Sequence, residues 1–177
     1  MEKLSAIPVR FIKGIGPKKA KVFHDMGIDT IEDLLYYLPR RYEDRTAFAK
    51  IGELKEDSAC TIKGQVLSMG EKQSWKRSRF NILEVVLGDE SGKISCVWFN
   101  QGYLREYFLP GALVIAYGRI ERYAGKLQIS SPEFEIVTDK NEEALNVGRI
   151  VPVYSLPEGS TQRYFRHLVK GVLEEFL

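Results

Sequence analysis

Cysteine and histidine are scarce, with two of each in 177 residues. Cys60 and Cys96 stand alone, without a Cys-x-x-Cys pair or a neighbouring histidine, and His24 and His167 are equally isolated. This excludes the usual metal-ligand spacings and leaves the thiols to act as small buried hydrophobes, so no metal site is expected. Also missing is any apolar run approaching the ~20 residues of a membrane span. The opening MEKLSAIPVR has no apolar stretch of the kind a secretory leader carries, and the expectation is a cytoplasmic chain with no membrane contact. A surplus of one charge is absent too: 26 basic residues stand against 24 acidic ones, for a net charge of +2. Any footprint for a polyanion must therefore be local. No G-x-x-x-x-G-K-[ST] loop occurs, since neither Gly92-Lys93 nor Gly125-Lys126 has the following hydroxyl or the preceding glycine. Carboxylates are scattered, and neither histidine has a nucleophile at a readable spacing. A binding module fits better than an enzyme, with no catalytic residue and no cofactor expected in these 177 residues.

What is present falls into three stretches, expected as residues 1–46, 47–138 and 139–177. The apolar share of 44% is enough to bury a core. In the first stretch, FIKGIGPKKAKVFHDMGI places two glycines and a proline before a helix that starts at Pro17, with Ala20, Phe23 and His24 at helical spacing. Unpaired amides at that helix start, with Lys18 and Lys19 beside them, form a possible phosphate seat together with Gly14 and Gly16. Asp29-Thr30 caps a second helix with Ile31, Leu34, Leu35 and Leu38 on its apolar side, and Pro39 ends it. The pattern is that of a helix-hairpin-helix, which grips nucleic-acid backbones, or of a plain helical hairpin that packs on its neighbour.

From residue 59 the period changes. CTIKGQVLSM, RFNILEVVLGD, KISCVWF, ALVIAYGRIER and KLQISSPEFEIV are five strand candidates rich in Ile, Val, Phe and Tyr. Asp89-Glu90-Ser91-Gly92 and Tyr123-Ala124-Gly125 are hairpin signals, and NQGYLREYFLPG between the third and fourth strands has helical spacing at Tyr103, Leu104, Tyr107 and Phe108. The fold class is mainly β with flanking helices. Three strands, a short helix and two strands is the order of the five-stranded Greek-key barrel of the OB-fold. The last stretch opens with the polar DKNEEALNVGR, continues through the extended IVPVYSLPEG, and ends in a helix capped by Ser160. The final GVLEEFL carries no cap, as expected of a piece of something longer.

Candidate binding residues cluster in two loops. In EKQSWKRSRF, Lys72, Lys76, Arg77 and Arg79 surround Trp75, a combination suited to a phosphate backbone and an unstacked base, or to a solvated loop. Arg119, Arg122, Tyr123 and Lys126 repeat the theme between the last two strands. Alternation in KISCVWF sets Ile94, Cys96 and Trp98 on one side and Ser95, Val97 and Phe99 on the other, so at least one large ring is displayed. Phe99 and Tyr103 either present their rings together or fill the barrel end and the underside of the helix. On chemistry alone, a single-strand nucleic-acid binder and a protein-interaction barrel both remain open.

Several stretches, in order, resemble the N-terminal part of the RecG family of bacterial helicases: FIKGIGPKKAKVFHDMGIDTIEDLLYYLPRRYEDR, SCVWFNQGYL, VIAYGRIER with GKLQISSPEFE, and RIVPVYSLPEGSTQRYFRHLV. LPRRYEDR and IVPVY are the most specific of these. The resemblance implies an OB-fold wedge that splits strands at replication forks and Holliday junctions in repair and recombination, while ATP and Mg serve a motor elsewhere in the same chain. It implies stacking roles for Phe99 and Tyr103 and a basic wedge loop at Lys76, Arg77 and Arg79; Trp98, Trp75 and Tyr123, read from the strand and loops themselves, are candidate further rings. It also implies packing roles for the arginines of PRRYEDR, branched DNA and the motor domains as partners, a monomer, and a place in the bacterial cytoplasm at the nucleoid.

Overall fold

In this computed structural model, residues 4–73, 81–137, 146–157 and 159–177 are described. They divide into two units, Met1–Glu43 with Pro152–Leu177, and Asp44–Val151. The expected three stretches thus fold as two.

In the first unit, Gly16 precedes α1 (Pro17–Asp25), and the proline occupies the first turn, where its missing N–H costs nothing. Thr30 opens α2 (Ile31–Tyr36) with a reciprocal box: the Asp33 amide donates to the Thr30 hydroxyl at 3.2 Å, and the Thr30 amide donates to the Asp33 carboxylate at 2.9 Å. α3 (Gln162–Phe176) is capped by Thr161, whose hydroxyl accepts the Tyr164 amide at 3.3 Å, and not by Ser160 as the sequence suggested. The backbone is still extended at Thr161, so the helix begins one residue later than expected. Both expected helices are thus present, and upstream of the glycine turn the chain forms a 3-10 turn at Val9–Phe11. Pro8 and Gly14 bracket it too closely for a longer helix. Val9, Ile28, Ile31 and Leu34 share one core with Phe165, Leu168 and Val172 of α3. That burial is why the C-terminal helix belongs with the N-terminal segment.

The chain leaves this unit through β1 (Arg41–Asp44) and returns through β9 (Ile150–Val153), and these two strands pair with each other. The second unit holds β2 (Phe48–Ala49), β3 (Ala59–Gln73), β4 (Asn81–Gly88), β5 (Lys93–Phe99), β6 (Leu113–Tyr123), β7 (Lys126–Ser130) and β8 (Glu133–Ile136). β3 pairs with β4, β4 with β5, β5 with β7, β7 with β6, and β6 with β3, so the pairings run in a closed ring. This is the OB-fold topology. The ring closes because β3 is long: Ala59–Gln65 pairs with β6 and Gln65–Gln73 with β4, with a bulge between Val66 and Ser68 that bends the strand. The fifth expected strand is in fact two. Ser131 adopts a left-handed φ of 47° before Pro132, which cannot donate to a ladder, so β7 stops and β8 pairs separately with β6. Inward residues, including Leu83, Val85, Leu87, Ile94, Cys96, Val114 and Ile129, fill the interior. Burial pushes the Cys96 thiol up to about 12, which keeps it a neutral apolar filler.

Candidate nucleic-acid interface

β5 settles the alternation read from KISCVWF. Trp98 is 2% exposed, packs on Phe108 and Phe134 at ring distances of 4.9 and 5.4 Å, and donates its indole N–H to the Pro132 carbonyl at 3.3 Å. No base can reach it. The stacking role suggested for Trp98 is withdrawn, because the two-residue period turns it into the core.

Phe99, the next residue, points outward at the strand end and is 37% exposed, and Tyr103 is 67% exposed. Between them the chain turns sharply. Asn100 has a left-handed φ of 55°, its amide donates to the Asn81 carbonyl at 2.8 Å, and its side-chain oxygen accepts the Asn81 amide at 3.1 Å. A 3-10 helix follows at Gly102–Tyr107. Its spacing sorts the expected residues into two sets, with Leu104 and Phe108 buried and Tyr103 and Tyr107 exposed. The Tyr103 hydroxyl donates to the Gln101 side chain at 3.3 Å.

In OB-folds the outer face of the second and third barrel strands is a common ligand surface. Here those strands are β4 and β5, and their outward residues Ile82, Glu84, Val86 and Ser95, with Val97 buried beside them, present no ring until Phe99. Glu84 accepts from the Lys72 ammonium and, at 2.9 Å, from the Ser95 hydroxyl. The Lys72 hydrogen bond lowers the Glu84 carboxyl below its ordinary range, against the opposing effect of burial.

Two more of the expected cations are matched by acids. Arg119 reaches Asp57 at 3.0 Å, and Arg122 reaches Glu56 at 2.7 Å while also donating to the Gly125 carbonyl at 3.2 Å. Lys126 and Tyr123 are exposed at a two-residue turn whose central residues, Ala124 and Gly125, have φ of 48° and 79°. Trp75, Lys76, Arg77 and Arg79 lie outside the described residues.

At the glycine turn, Gly14 has φ of 95°, a conformation that glycine adopts without strain. Its carbonyl accepts from both the Lys19 ammonium and the Tyr164 hydroxyl, each at 3.2 Å, and that ammonium lies 3.8 Å above the Tyr164 ring. The Lys19 ammonium is thus engaged by Gly14 and Tyr164 while the residue stays exposed. Lys18 and Gly16 stay exposed at the start of α1. Arg45 of the connector is 3% exposed, with its guanidinium 3.7 Å over Tyr117 and hydrogen-bonded to the Asn146 carbonyl at 2.6 Å and to Glu133 at 3.0 Å. It is a packing group.

Sequence reasoning missed the acids that face the cations, and it missed Asn100. The signal for Asn100 was legible: an asparagine directly after a strand and before Gln-Gly tolerates the left-handed region.

Residues 8–175 match the family described as the RecG wedge domain. The chain belongs to that family. ATP-dependent DNA helicase RecG of Thermotoga maritima is 35% identical over 164 residues, covering 90% of this chain and 20% of the relative. The Pasteurella multocida RecG is 35% identical over 171 residues, covering 96% of this chain and 24% of the relative. A solved structure described as RecG bound to a three-way DNA junction superposes with a TM-score of 0.76 at 32% identity, covering 93% of this chain and 22% of that one. The wedge is the non-catalytic part of RecG, and the chain spans between a fifth and a quarter of its relatives. Among the described residues no helix is long and apolar enough to cross a membrane, and no group of His, Cys, Asp and Glu could hold a metal ion.

Proposed function

We propose that the chain is the branched-DNA-binding wedge of a RecG-type helicase and that Phe99 and Tyr103 stack on the last base pair at the branch. The observation that carries this reading is their placement: two exposed rings flank one tight turn at the end of β5, while the strand face beside them bears Glu84 and no ring. A generic single-strand binder uses rings along that face to hold successive bases. Rings confined to a rim suit a junction.

Stacking contributes roughly 1–3 kcal/mol per base, which offsets an unstacking cost of a few kcal/mol per step. Lys126, with Lys76, Arg77 and Arg79, holds the phosphates of the separated strands, while Lys72, Arg119 and Arg122 reach them only in exchange for their acid partners, and Tyr123 stands by as a further ring. Lys18 and the start of α1 add at most a peripheral phosphate contact. The wedge is passive. Work comes from motor domains of the same parent protein, using ATP and Mg, on forks and Holliday junctions in repair and recombination. The whole acts as a monomer in the bacterial cytoplasm, at the nucleoid.

Fluorescence anisotropy with a labelled three-way fork, a plain duplex and a single strand, at two salt concentrations, tests this. The fork is expected to bind best, and Phe99→Ala with Tyr103→Ala should remove that preference while leaving salt-sensitive residual binding. Equal binding of all three DNAs would instead indicate a generic nucleic-acid binder, and binding of none an interaction barrel.

A further inference from the structure

We infer that Asn100 is the positioning residue for the branch-stacking rings, with its side chain taking the place of a backbone carbonyl so that the chain can turn immediately after Phe99. This rests on the stacking reading above.

The β4–β5 ladder pairs Ile82 with Phe99, so the next antiparallel pair is Asn81 with Asn100. In an ordinary pair of this kind each amide donates to the other residue's carbonyl. One half is normal, since the Asn100 amide donates to the Asn81 carbonyl at 2.8 Å. The other half is substituted: the Asn81 amide donates to the Asn100 side-chain oxygen at 3.1 Å. The left-handed φ of 55° at Asn100 carries the chain out of the strand direction while the side chain completes the ladder. The strand therefore stays paired to its last residue, and the 3-10 helix bearing Tyr103 starts two residues later.

Few residues can do both jobs. Glycine accepts the conformation but has no acceptor, so the Asn81 amide loses its partner. Alanine lacks the acceptor and is strained at positive φ. Aspartate keeps both the acceptor and much of the left-handed tolerance, at the expense of a negative charge near phosphate.

The test compares Asn100→Gly, Asn100→Asp and the Phe99→Ala, Tyr103→Ala double variant on a fork carrying 2-aminopurine at the branch. Thermal midpoints are recorded for each. Asn100→Gly is expected to keep its thermal midpoint within a few degrees, lose about tenfold of its fork-over-duplex preference, the scale of one lost base stack, and lose the 2-aminopurine quench. Asn100→Asp should restore the quench while binding all DNAs more weakly. If the double variant abolishes preference and quench while Asn100→Gly leaves both intact, the positioning role is overturned and the stacking reading survives. If the double variant changes neither, the stacking reading itself fails. A quench lost equally in Asn100→Gly and Asn100→Asp, with midpoints unchanged, would also overturn the role, because retaining the acceptor should have sufficed.

Discussion

The Asp89 carboxylate accepts the Ile51 backbone amide at 2.9 Å, tying the lead-in to the barrel onto the β4–β5 hairpin turn. The same carboxylate accepts the Ser91 hydroxyl and amide at 2.6 and 2.8 Å and the Gly92 amide at 2.9 Å. Desolvation opposes the charge, but these four bonds outweigh it and hold the carboxyl near pKa about 2.

A folded value below the unfolded one means that the stabilisation is present above the ordinary aspartate range and is lost as pH falls. The barrel should accordingly lose stability between pH 3.8 and about 2. Chemical denaturation followed at several acid pH values should show this fall in the wild type and a shallower one in Asp89→Asn. Identical slopes in the two proteins would remove Asp89 as the cause.

His24 and Asp29 give the opposite sign. Their side chains lie 2.7 Å apart, and the hydrogen bond to Asp29, followed by its charge, raises the imidazole above 6.5. This contribution is complete below pH 6.5 and disappears as pH rises through the elevated folded value. NMR titration should place His24 above His24 of the Asp29→Asn variant.

Ala124 is an alanine in a left-handed turn position that favours asparagine or glycine. Ala124→Asn should stabilise the protein by about 1 kcal/mol, read from urea unfolding. Ala124→Gly should gain less, because glycine also gives the unfolded chain more freedom.

Replacing a buried ring should be far more severe than replacing a displayed one. Trp98→Ala should cost about 3–5 kcal/mol through the void it leaves between Phe108 and Phe134. Tyr103→Ala, at an exposed site, should leave the unfolding midpoint nearly unchanged.

On the proposed function, Glu56→Gln with Asp57→Asn should release Arg122 and Arg119 for phosphate. DNA affinity should rise, and the slope of log K against log salt should steepen by up to about 0.9 for each arginine engaged. An unchanged slope would mean that neither arginine meets the backbone.

The barrel was legible because its core residues recur with a period of two, as Ile94, Cys96 and Trp98 do in Lys93–Phe99, which also separates Trp98 from Phe99. Thr30 and Asp33 were legible as a cap because both partners lie within one helical turn. The break at Ser131 was signalled only by Pro132, since the run of apolar and polar residues continues across it and the left-handed turn shows in the backbone alone. The acids facing Arg119 and Arg122 come from 62 and 66 residues away, so no local pattern announces them. Tyr164 meets Gly14 across 150 residues and was equally invisible.

One unit is assembled from both ends of the chain, whereas the other is a single uninterrupted stretch, Asp44–Val151. On a ribosome the order of completion follows. The barrel has all its strands once Ile136 has left the exit tunnel, but Phe23 and Ile31 must wait for Phe165 and Val172 to be made before their core can close. During that interval the helices at Pro17–Asp25 and Ile31–Tyr36 present an unfinished apolar surface.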